Sequence, residues 1–468
     1  MLDASRSALT RKRILGSAFV GTTIEWYDFY LYGTAAALIF STQFFPHGSA
    51  LGGILASFAT FAIAFFFRPI GGIIAGHLGD RIGRKSLLVI SLLTMGVATT
   101  GIGLLPTFAV GGWFTVVAVI VLRLAQGLSA GAEWGGSALL SVEHAPAQHR
   151  GFFGSFTQIG SAAGMLLATS AFAGSRAALG EQAFLAWGWR LPFLASALLV
   201  AVGLWIRLGV KDAREFTEVR EAGTTAAAPV REVLRHHWRG VLVAIGQRLV
   251  QPAIYSILTV YTLTYVTAKR GDAGSVLAAV LICSALGLIS GPFWGGLSDR
   301  WGRRRISLIS AALGGVLVWP YFVFLDSGPL ALLPLVYILA MNGIHDAIYG
   351  PQAAWFAEQF PVHVRYSGVS LGYQIGTILS GGLTPFIAAG LLALGGSAPW
   401  LICAYISVLA VASVISAAAA ADPVGDARRA GLELDADAPT DAAVTGSDPV
   451  PAGVGAAAAS QTKGFTRA

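Results

Sequence analysis

Ionisable residues lie inside several long apolar stretches of this chain, where charge is otherwise rare. On the first stretch Glu25, Asp28 and Tyr32 follow the spacing i, i+3, i+7 and so share one face of a helix. At ~1.5 Å per residue from Ile14, the two carboxyls fall ~16 and ~21 Å along that helix, near its middle. A charge buried at that depth in a bilayer costs ~2.5–3.5 kcal/mol, so such a group is a candidate for function. We interpret Glu25 and Asp28 as proton carriers, with structural pairing to an arginine as the alternative.

Two arginines in the first part of the chain are also placed inside apolar stretches. Arg68 precedes Pro69 at a depth that matches the two acids, so it could pair with one of them or contact a ligand. Arg123 shares a helix face with Gln126 and Glu133. Glu133 is a further candidate for proton transfer, although it could equally brace the neighbouring segments.

The second part of the chain carries a different polar set. The seventh and tenth apolar stretches each present one polar face, formed by Arg248, Gln251 and Tyr255 and by Asn342, His345, Asp346 and Tyr349. Arginine can clamp a carboxylate through two hydrogen bonds, whereas amides and phenols bind hydroxyls. With Tyr32, Gln158 and Gln374, these residues predict a site for a small polyhydroxylated carboxylate. His345 and Asp346 could form a titrating pair, or the histidine could simply pack between helices.

The elements that must position these side chains are twelve apolar stretches of roughly 20 residues or more, the length that spans a bilayer. The chain is 55% hydrophobic and only 12% charged. Lipid-exposed backbone must satisfy its hydrogen bonds locally, so we predict an all-α membrane protein with twelve transmembrane helices. The predicted spans are 14–40, 51–76, 87–106, 111–140, 152–173, 189–208, 240–267, 275–297, 306–325, 330–356, 366–391 and 398–421.

A repeated basic loop divides these spans into two sets of six. The sequence GHLGDRIGRK at Gly76 to Lys85 recurs 219 positions later as GGLSDRWGRR at Gly295 to Arg304. We therefore predict two pseudo-symmetric bundles at 14–208 and 240–421, after a cytoplasmic N-terminus at 1–13 and joined by a cytoplasmic linker at 209–239. The segment 422–468 is rich in Ala, Asp, Gly, Pro and Thr with few aromatics, which predicts a disordered cytoplasmic tail.

The positive charge follows the topology of the chain. If both termini face the cytoplasm, 24 of the 31 Lys and Arg residues fall on cytoplasmic segments and four on the outer side. This asymmetry is the positive-inside rule, and it accounts for the net charge of +7 without a nucleic-acid partner. The sequence holds no nucleotide, metal or nucleophile constellation, so we expect no enzyme activity, no cofactor and no metal site.

The repeated motif GxxxDRxGR/K resembles the loop between the second and third spans of the major facilitator superfamily. Four further segments are similar to its metabolite:proton symporters: TxIEWYDFYLYG (22–33), RPIGG (68–72), RLAQGLSAGAEWGGSALLSVEHAP (123–146) and WGWRLPF (187–193). The pieces IGQRLVQ (245–251) and IHDAIY (344–349) resemble the shikimate branch of that family most.

This resemblance implies a major facilitator fold that works by alternating access. It also implies that Arg123 takes part in proton coupling and that both repeated loops latch the outward-facing state. The implied latch residues are Gly76, Asp80, Arg81, Gly83 and Arg84 in the first copy and Asp299, Arg300, Gly302 and Arg303 in the second.

The expected function is proton-coupled import of a small organic acid, shikimate-like or a di- or tricarboxylate, by a monomer in the cell membrane. One alternative is a proline or betaine symporter of the same family, although that branch usually ends in a coiled coil and 422–468 shows no heptads. The other is an exporter from another branch, although exporters do not share the EWYDF and EWGG segments.

Overall fold

The computed structural model describes residues 2–45, 49–82, 84–131, 138–139, 141–142, 145–208, 229–361, 364–423 and 425–426. Side chains are described for these residues apart from 2–15, 17–18, 50, 75–82, 84–88, 147, 206–208 and 229–231. This part of the chain consists of helices and connecting loops and contains no β-strand.

The main helices follow the predicted spans in order. They are α1 (Leu2–Ala35), α2 (Ala50–Ile82), α3 (Arg84–Leu104), α4 (Trp113–Gly131), α5 (Arg150–Ala183), α6 (Arg190–Leu208), α7 (Trp238–Arg270), α8 (Ala273–Trp301), α9 (Arg303–Ser327), α10 (Leu330–Ala357), α11 (Arg365–Leu394) and α12 (Trp400–Ala419). Shorter helices occupy Ser41–Gln43, Phe108–Gly111, Ala147–His149 and Pro229–His236.

Length and composition suit most of these helices to a bilayer. Within the described residues, eight helices are long and apolar enough to cross a membrane: α2 over Leu51–Ile74, α4, and α7 to α12. The segments Arg150–Gly188 and Arg190–Trp205 meet the same criteria as a pair bent by 87°, and Val89–Leu104 in α3 is a shorter apolar helix. Large apolar side chains such as Leu104, Trp113 and Ile289 are exposed on the outer faces, as expected where lipid covers them.

Glycines bring the helices of the first bundle into close contact. A Cβ atom added at Gly131 on α4 would lie 1.9 Å from the carbonyl oxygen of Arg68 on α2. At Gly127 it would lie 2.3 Å from the carbonyl oxygen of Ala64. Only glycine permits this approach, which holds the backbone of Arg68 directly against α4.

The two bundles, α1–α6 and α7–α12, meet along several helix pairs. The most extensive contact in the described residues joins α5 to α8. There a Cβ atom on Gly151 would lie 2.5 Å from the carbonyl oxygen of Gly295, so the two backbones touch. Elsewhere α2 contacts α11, and Thr264 of α7 donates a 3.3 Å hydrogen bond to the carbonyl of Ala37, just after α1.

Three helices of the second bundle contain π-helical segments: Ile257–Tyr261 in α7, Ile338–His345 in α10 and Ile378–Gly382 in α11. A π segment widens the helix and leaves part of its backbone hydrogen bonding irregular, and such segments are frequent at functional sites. The segment in α10 contains both Asn342 and His345.

Candidate functional site

A small cavity lies between the bundles and is lined by both. The first bundle contributes mainly aromatic rings, namely Trp26, Phe29, Tyr30 and Phe65. The second contributes most of the polar groups, and five residues predicted from the sequence are among them: Arg248, Gln251, Tyr255, His345 and Tyr349. The cavity therefore has an aromatic wall and a polar wall.

Arg248 is the cation of the polar wall and is fully buried at 1% exposure. Its Nε donates a 3.0 Å hydrogen bond to Thr377 Oγ1, and its Nη1 donates to the side-chain oxygens of Gln251 and Gln352. Its Cζ lies 3.8 Å from the ring centroid of Tyr373. None of these partners is a carboxylate, and no ion pair in the described part of the chain includes Arg248. A buried cation that is held by neutral groups retains the capacity to bind an anion.

A hydrogen-bonded chain runs from Arg248 into α10. The side-chain nitrogen of Gln251 bonds to Nε2 of His345, whose Nδ1 lies 2.8 Å from Asp346 Oδ1. The other Asp346 oxygen accepts from Ser290 Oγ and, at 3.0 Å, from Asn342 Nδ2. Asn342 is thus engaged in holding Asp346 and does not line the cavity.

In the first bundle the carboxylate of Glu25 forms a 3.4 Å ion pair with Arg68, and both side chains are at most 5% exposed. The Arg68 guanidinium also lies 4.9 Å from the ring centroid of Phe65. The structure therefore pairs two residues that the sequence analysis placed at one depth.

Asp28 has a different environment from Glu25, although it is equally buried at 3% exposure. Its Oδ1 accepts a long, 3.4 Å hydrogen bond from Ser196 on α6. Its Oδ2 has no hydrogen-bond partner among the described residues. Asp28 is the carboxylate of the first bundle that lacks a paired cation in this part of the structure.

Arg123 lies near these acids but is satisfied by neutral oxygens. It donates to the carbonyls of Thr60 and Phe61 at 3.2 and 2.8 Å and to Gln126 Oε1 at 2.8 Å. Its guanidinium stacks on Tyr32 at 3.9 Å from the ring centroid. Tyr32, predicted as a substrate contact, is therefore placed against Arg123 and does not line the cavity.

The second repeated loop joins the two bundles. The Asp299 carboxylate accepts hydrogen bonds from the backbone amides of Gly151 and Phe152, at 2.8 and 2.9 Å, in the first turn of α5. Arg303 donates to Asp299 at 2.9 Å and makes a two-point contact with Glu358 at 2.8 and 2.6 Å. A carboxylate is favourable at a helix N-terminus, where the amides are unpaired and the dipole is positive. Asp299 therefore holds the other bundle directly.

The same loop is also contacted by the segment that follows α12. Gly302 has a φ of 88°, a conformation that favours glycine, and it connects α8 to α9. The Asp422 carboxylate accepts from the amides of Arg303 and Arg304 at 3.3 and 3.2 Å and so caps α9. Asp422 is fully buried, so ordered contacts continue past the predicted boundary at 421. The side chain of Arg300 is exposed.

Several predicted residues lie apart from these clusters. The first copy of the loop, with Gly76, Asp80, Arg81, Gly83 and Arg84, lies outside the residues whose side chains are described, as does Glu133. Gln158 and Gln374 are described and buried but do not line the cavity. The Gln158 amide and the Gln374 side-chain oxygen have no hydrogen-bond partner in the described part of the chain.

Comparison with known proteins identifies the family. The Major Facilitator Superfamily pattern matches residues 18–372. The chain is 40% identical over 385 residues to the shikimate transporter of Escherichia coli (strain K12), which covers 82% of this chain and 88% of that protein. This chain belongs to the Major Facilitator Superfamily. It is thus a multi-pass membrane transporter and not an enzyme, and its fold is the superfamily's pair of pseudo-symmetric six-helix bundles.

Other superfamily members are also similar to this transporter. The proline/betaine transporter of Escherichia coli (strain K12) is 30% identical over 391 residues, covering 81% of this chain and 78% of that protein. Among solved structures, a crystal structure of the D-xylose-proton symporter superimposes with a TM-score of 0.68 at 17% identity, covering 87% of this chain and 96% of that chain. At that identity the likeness shows the fold alone.

Three residues of this transporter that contact Arg248 were not predicted from the sequence: Gln352, Tyr373 and Thr377. Gln352 lies three residues after Tyr349 and seven after His345, so helical spacing could have found it. Tyr373 and Thr377 flank the predicted Gln374, and they contact Arg248 where Gln374 does not. A choice between these neighbours depends on the rotation of α11, which spacing alone does not determine.

Proposed function

We propose that this transporter is a proton-coupled symporter that imports a small hydroxylated carboxylate, with shikimate-like acids first and di- or tricarboxylates next. The observation that carries the proposal is the environment of Arg248. This buried guanidinium at the cavity is held by two amides and a hydroxyl and has no carboxylate partner among the described residues. A substrate carboxylate would supply the missing charge, and the neighbouring amides and phenols would bind its hydroxyls. The similarity to a shikimate transporter supports the same substrate class.

The proton is assigned to the first bundle. Asp28 is buried, accepts a long hydrogen bond from Ser196, has Thr99 and Arg123 nearby and forms no ion pair in the described residues, so a negative charge there is only partly compensated. Binding a proton would relieve that cost. Glu25 already has Arg68 at 3.4 Å, so we assign it a supporting role.

The same proposal includes the membrane topology. We propose an inner-membrane location, a monomeric working unit, and cytoplasmic placement of the termini, the 209–239 linker and the 422–468 tail. The distribution of Lys and Arg along the chain supports this orientation. A reporter that is active only in the cytoplasm should be active when it is fused at either terminus.

The aromatic wall favours a second candidate substrate. Tyr255 lies 5.4 Å from Tyr30 and 6.1 Å from Trp26 between ring centroids, so three aromatic rings cluster beside the cavity. Such rings suit a quaternary ammonium group. A betaine could place its cation there and its carboxylate on Arg248. The similarity to a proline/betaine transporter supports this alternative.

Uptake into proteoliposomes separates the two candidates. Labelled shikimate and labelled glycine betaine are offered with an inward proton gradient and, as a control, with the gradient collapsed by a protonophore. One-to-one symport of a proton with a monoanion moves no net charge, so the gradient is imposed as a pH difference. A pH difference equivalent to about 150 mV supplies ~3.5 kcal/mol, so shikimate should accumulate roughly a few hundredfold. Accumulation of betaine alone would favour the second candidate. Substrate uptake that does not change when the proton gradient is collapsed would exclude proton symport.

A further inference from the structure

The hydrogen-bonded chain from Arg248 to Asp346 has a direction that is set by chemistry. A guanidinium can only donate, so the Gln251 amide must turn its oxygen towards Arg248. The Gln251 nitrogen then faces His345 Nε2 and donates to it. This nitrogen of the histidine must therefore be unprotonated. The ring proton is on Nδ1, which donates to Asp346 Oδ1 at 2.8 Å.

We propose that His345 is a proton-operated positioning residue, whose protonation turns the Gln251 amide and releases Arg248 for the substrate carboxylate. A proton added at Nε2 makes this atom a donor, so it faces the donor nitrogen of Gln251. The amide must then rotate and present its oxygen to His345. That rotation directs the amide nitrogen at Arg248, where two donors meet and the Arg248–Gln251 hydrogen bond is lost.

The surroundings of His345 suit this switch. The Asp346 carboxylate contacts Nδ1 of the ring at 2.8 Å. The rings of Tyr255 on α7 and Tyr349 on α10 lie 4.8 and 5.3 Å from the imidazole between centroids. Among the described residues, Arg248 is the cation of this hydrogen-bonded chain, and Gln251 separates it from the ring. Cys283 on α8 is a further titratable group near Asp346.

The consequence is reciprocal coupling between proton and substrate in the second bundle. If a proton on His345 increases the affinity for the carboxylate, the bound carboxylate must increase the affinity for the proton by the same factor. This inference rests on the proposed function for its substrate. It adds a second protonatable site to the one assigned to Asp28, and it makes the Gln251 amide the link between His345 and the ligand.

The first test needs no substrate. Protein labelled with nitrogen-15 histidine is examined by solid-state NMR in lipid at pH 8.5, and the His345 signals are assigned by subtraction of the His345→Gln spectrum. We expect a neutral ring with its proton on Nδ1. A ring with its proton on Nε2 would overturn the inference, because the Gln251 nitrogen would then have no acceptor.

The second test is the pH profile of binding. The affinity for shikimate, with glycine betaine as the second probe, is measured at pH 6 and pH 8, where a substrate carboxylate stays ionised. Loss of one hydrogen bond to a charged group predicts roughly tenfold tighter binding at pH 6 for the wild type. His345→Gln and Gln251→Leu should each bind with an affinity that does not change with pH.

Asp272→Ala, at the N-terminus of α8, serves as the control, since it should keep the wild-type dependence of affinity on pH. A purely structural role for His345 would instead weaken binding equally at both pH values, and that result would contradict the switch. If neither probe binds at any pH, the proposed function fails. The tautomer measured by NMR still tests whether the hydrogen bond between Gln251 and His345 has the inferred direction.

Discussion

Two buried arginines, Arg68 of the first bundle and Arg248 of the second, are compensated in different ways. In the first bundle Arg68 has the Glu25 carboxylate at 3.4 Å, and Arg123 is surrounded by carbonyl oxygens and an amide. In the second bundle Arg248 is held by amides, a hydroxyl and a tyrosine ring. Buried ions need compensation, and neutral dipoles supply less of it than an opposite charge does. We infer that Arg68 is committed to Glu25, whereas Arg248 is kept available for an anionic ligand.

The largest expected effect comes from removing the cation of the second bundle. Arg248→Ala should weaken carboxylate binding by about 100-fold or more, because it leaves the substrate charge unpaired in the cavity. Equilibrium binding by calorimetry measures the loss, and size-exclusion chromatography checks that the protein is folded.

Arg248→Lys is the matched variant. It keeps the charge but lacks the two-pronged guanidinium, so its loss should be intermediate. Unchanged affinity in Arg248→Ala would refute the assignment of anion binding to the second bundle.

Neutralising Asp28, which forms no ion pair among the described residues, should separate coupling from binding. Asp28→Asn cannot release a proton but keeps the size and polarity of the side chain. We expect this variant to show no accumulation of substrate against the substrate's concentration gradient. Exchange of labelled for unlabelled substrate across the vesicle membrane should continue. Proton-driven accumulation that survives in Asp28→Asn would move the coupling role to His345 and Asp346.

Glu25→Gln is the comparison for that experiment. Its partner Arg68 would lose its counter-charge, so this variant should lose stability as well as accumulation. A melting-temperature measurement on both variants distinguishes an acid that pairs from an acid that carries a proton.

A smaller effect is expected at the loop that joins the bundles. Asp299→Asn keeps an acceptor for the amides of α5 but loses the charge that Arg303 and the helix terminus favour. Turnover should fall by roughly tenfold, in line with 1–2 kcal/mol at a helix cap, while equilibrium binding stays intact. Asp80→Asn, at the matching position of the first repeat, should likewise lower turnover and leave equilibrium binding intact. Loss of binding in either variant would show that the loops shape the cavity.

The smallest effect should come from a cap at the opposite end of α8. Asp272 accepts from the amide and hydroxyl of Ser275 at 2.9 and 2.6 Å, and these hydrogen bonds hold its pKa below the ordinary value. Asp272→Ala should cost about 1 kcal/mol of stability without changing transport. Because the pKa is lowered in the fold, this contribution is present above the ordinary value of 3.8 and is lost as the pH falls towards the folded pKa. A transport defect in this variant would weaken the special role given to Asp299.

The fold was predictable because it depends on length and periodicity. The predicted span 275–297 falls within α8 (Ala273–Trp301), and 306–325 falls within α9 (Arg303–Ser327). A bilayer requires about 20 apolar residues per helix, so composition along the chain is sufficient to find them. The π-helical segments were not predicted, because they reflect packing between helices and not local composition.

The polar wall of the site was predicted better than its surroundings. Arg248, Gln251 and Tyr255 share a helix face and all line the cavity, as their spacing indicates. Tyr32 and Asn342 share faces with functional candidates yet contact Arg123 and Asp346. Spacing determines which residues share a face, whereas the neighbouring helix decides what that face meets.

The cap that Asp422 places on α9 limits how far this protein can be shortened for purification or tagging. Asp422 accepts from the amide of Arg303 across 119 positions of sequence, and Ala420 accepts a 2.6 Å hydrogen bond from the Arg304 side chain. A chain that stops at 419 would leave the backbone amides in the first turn of α9 without this cap, beside Asp299 and Glu358. Affinity tags and protease sites are therefore better placed beyond Asp426, or at the amino terminus.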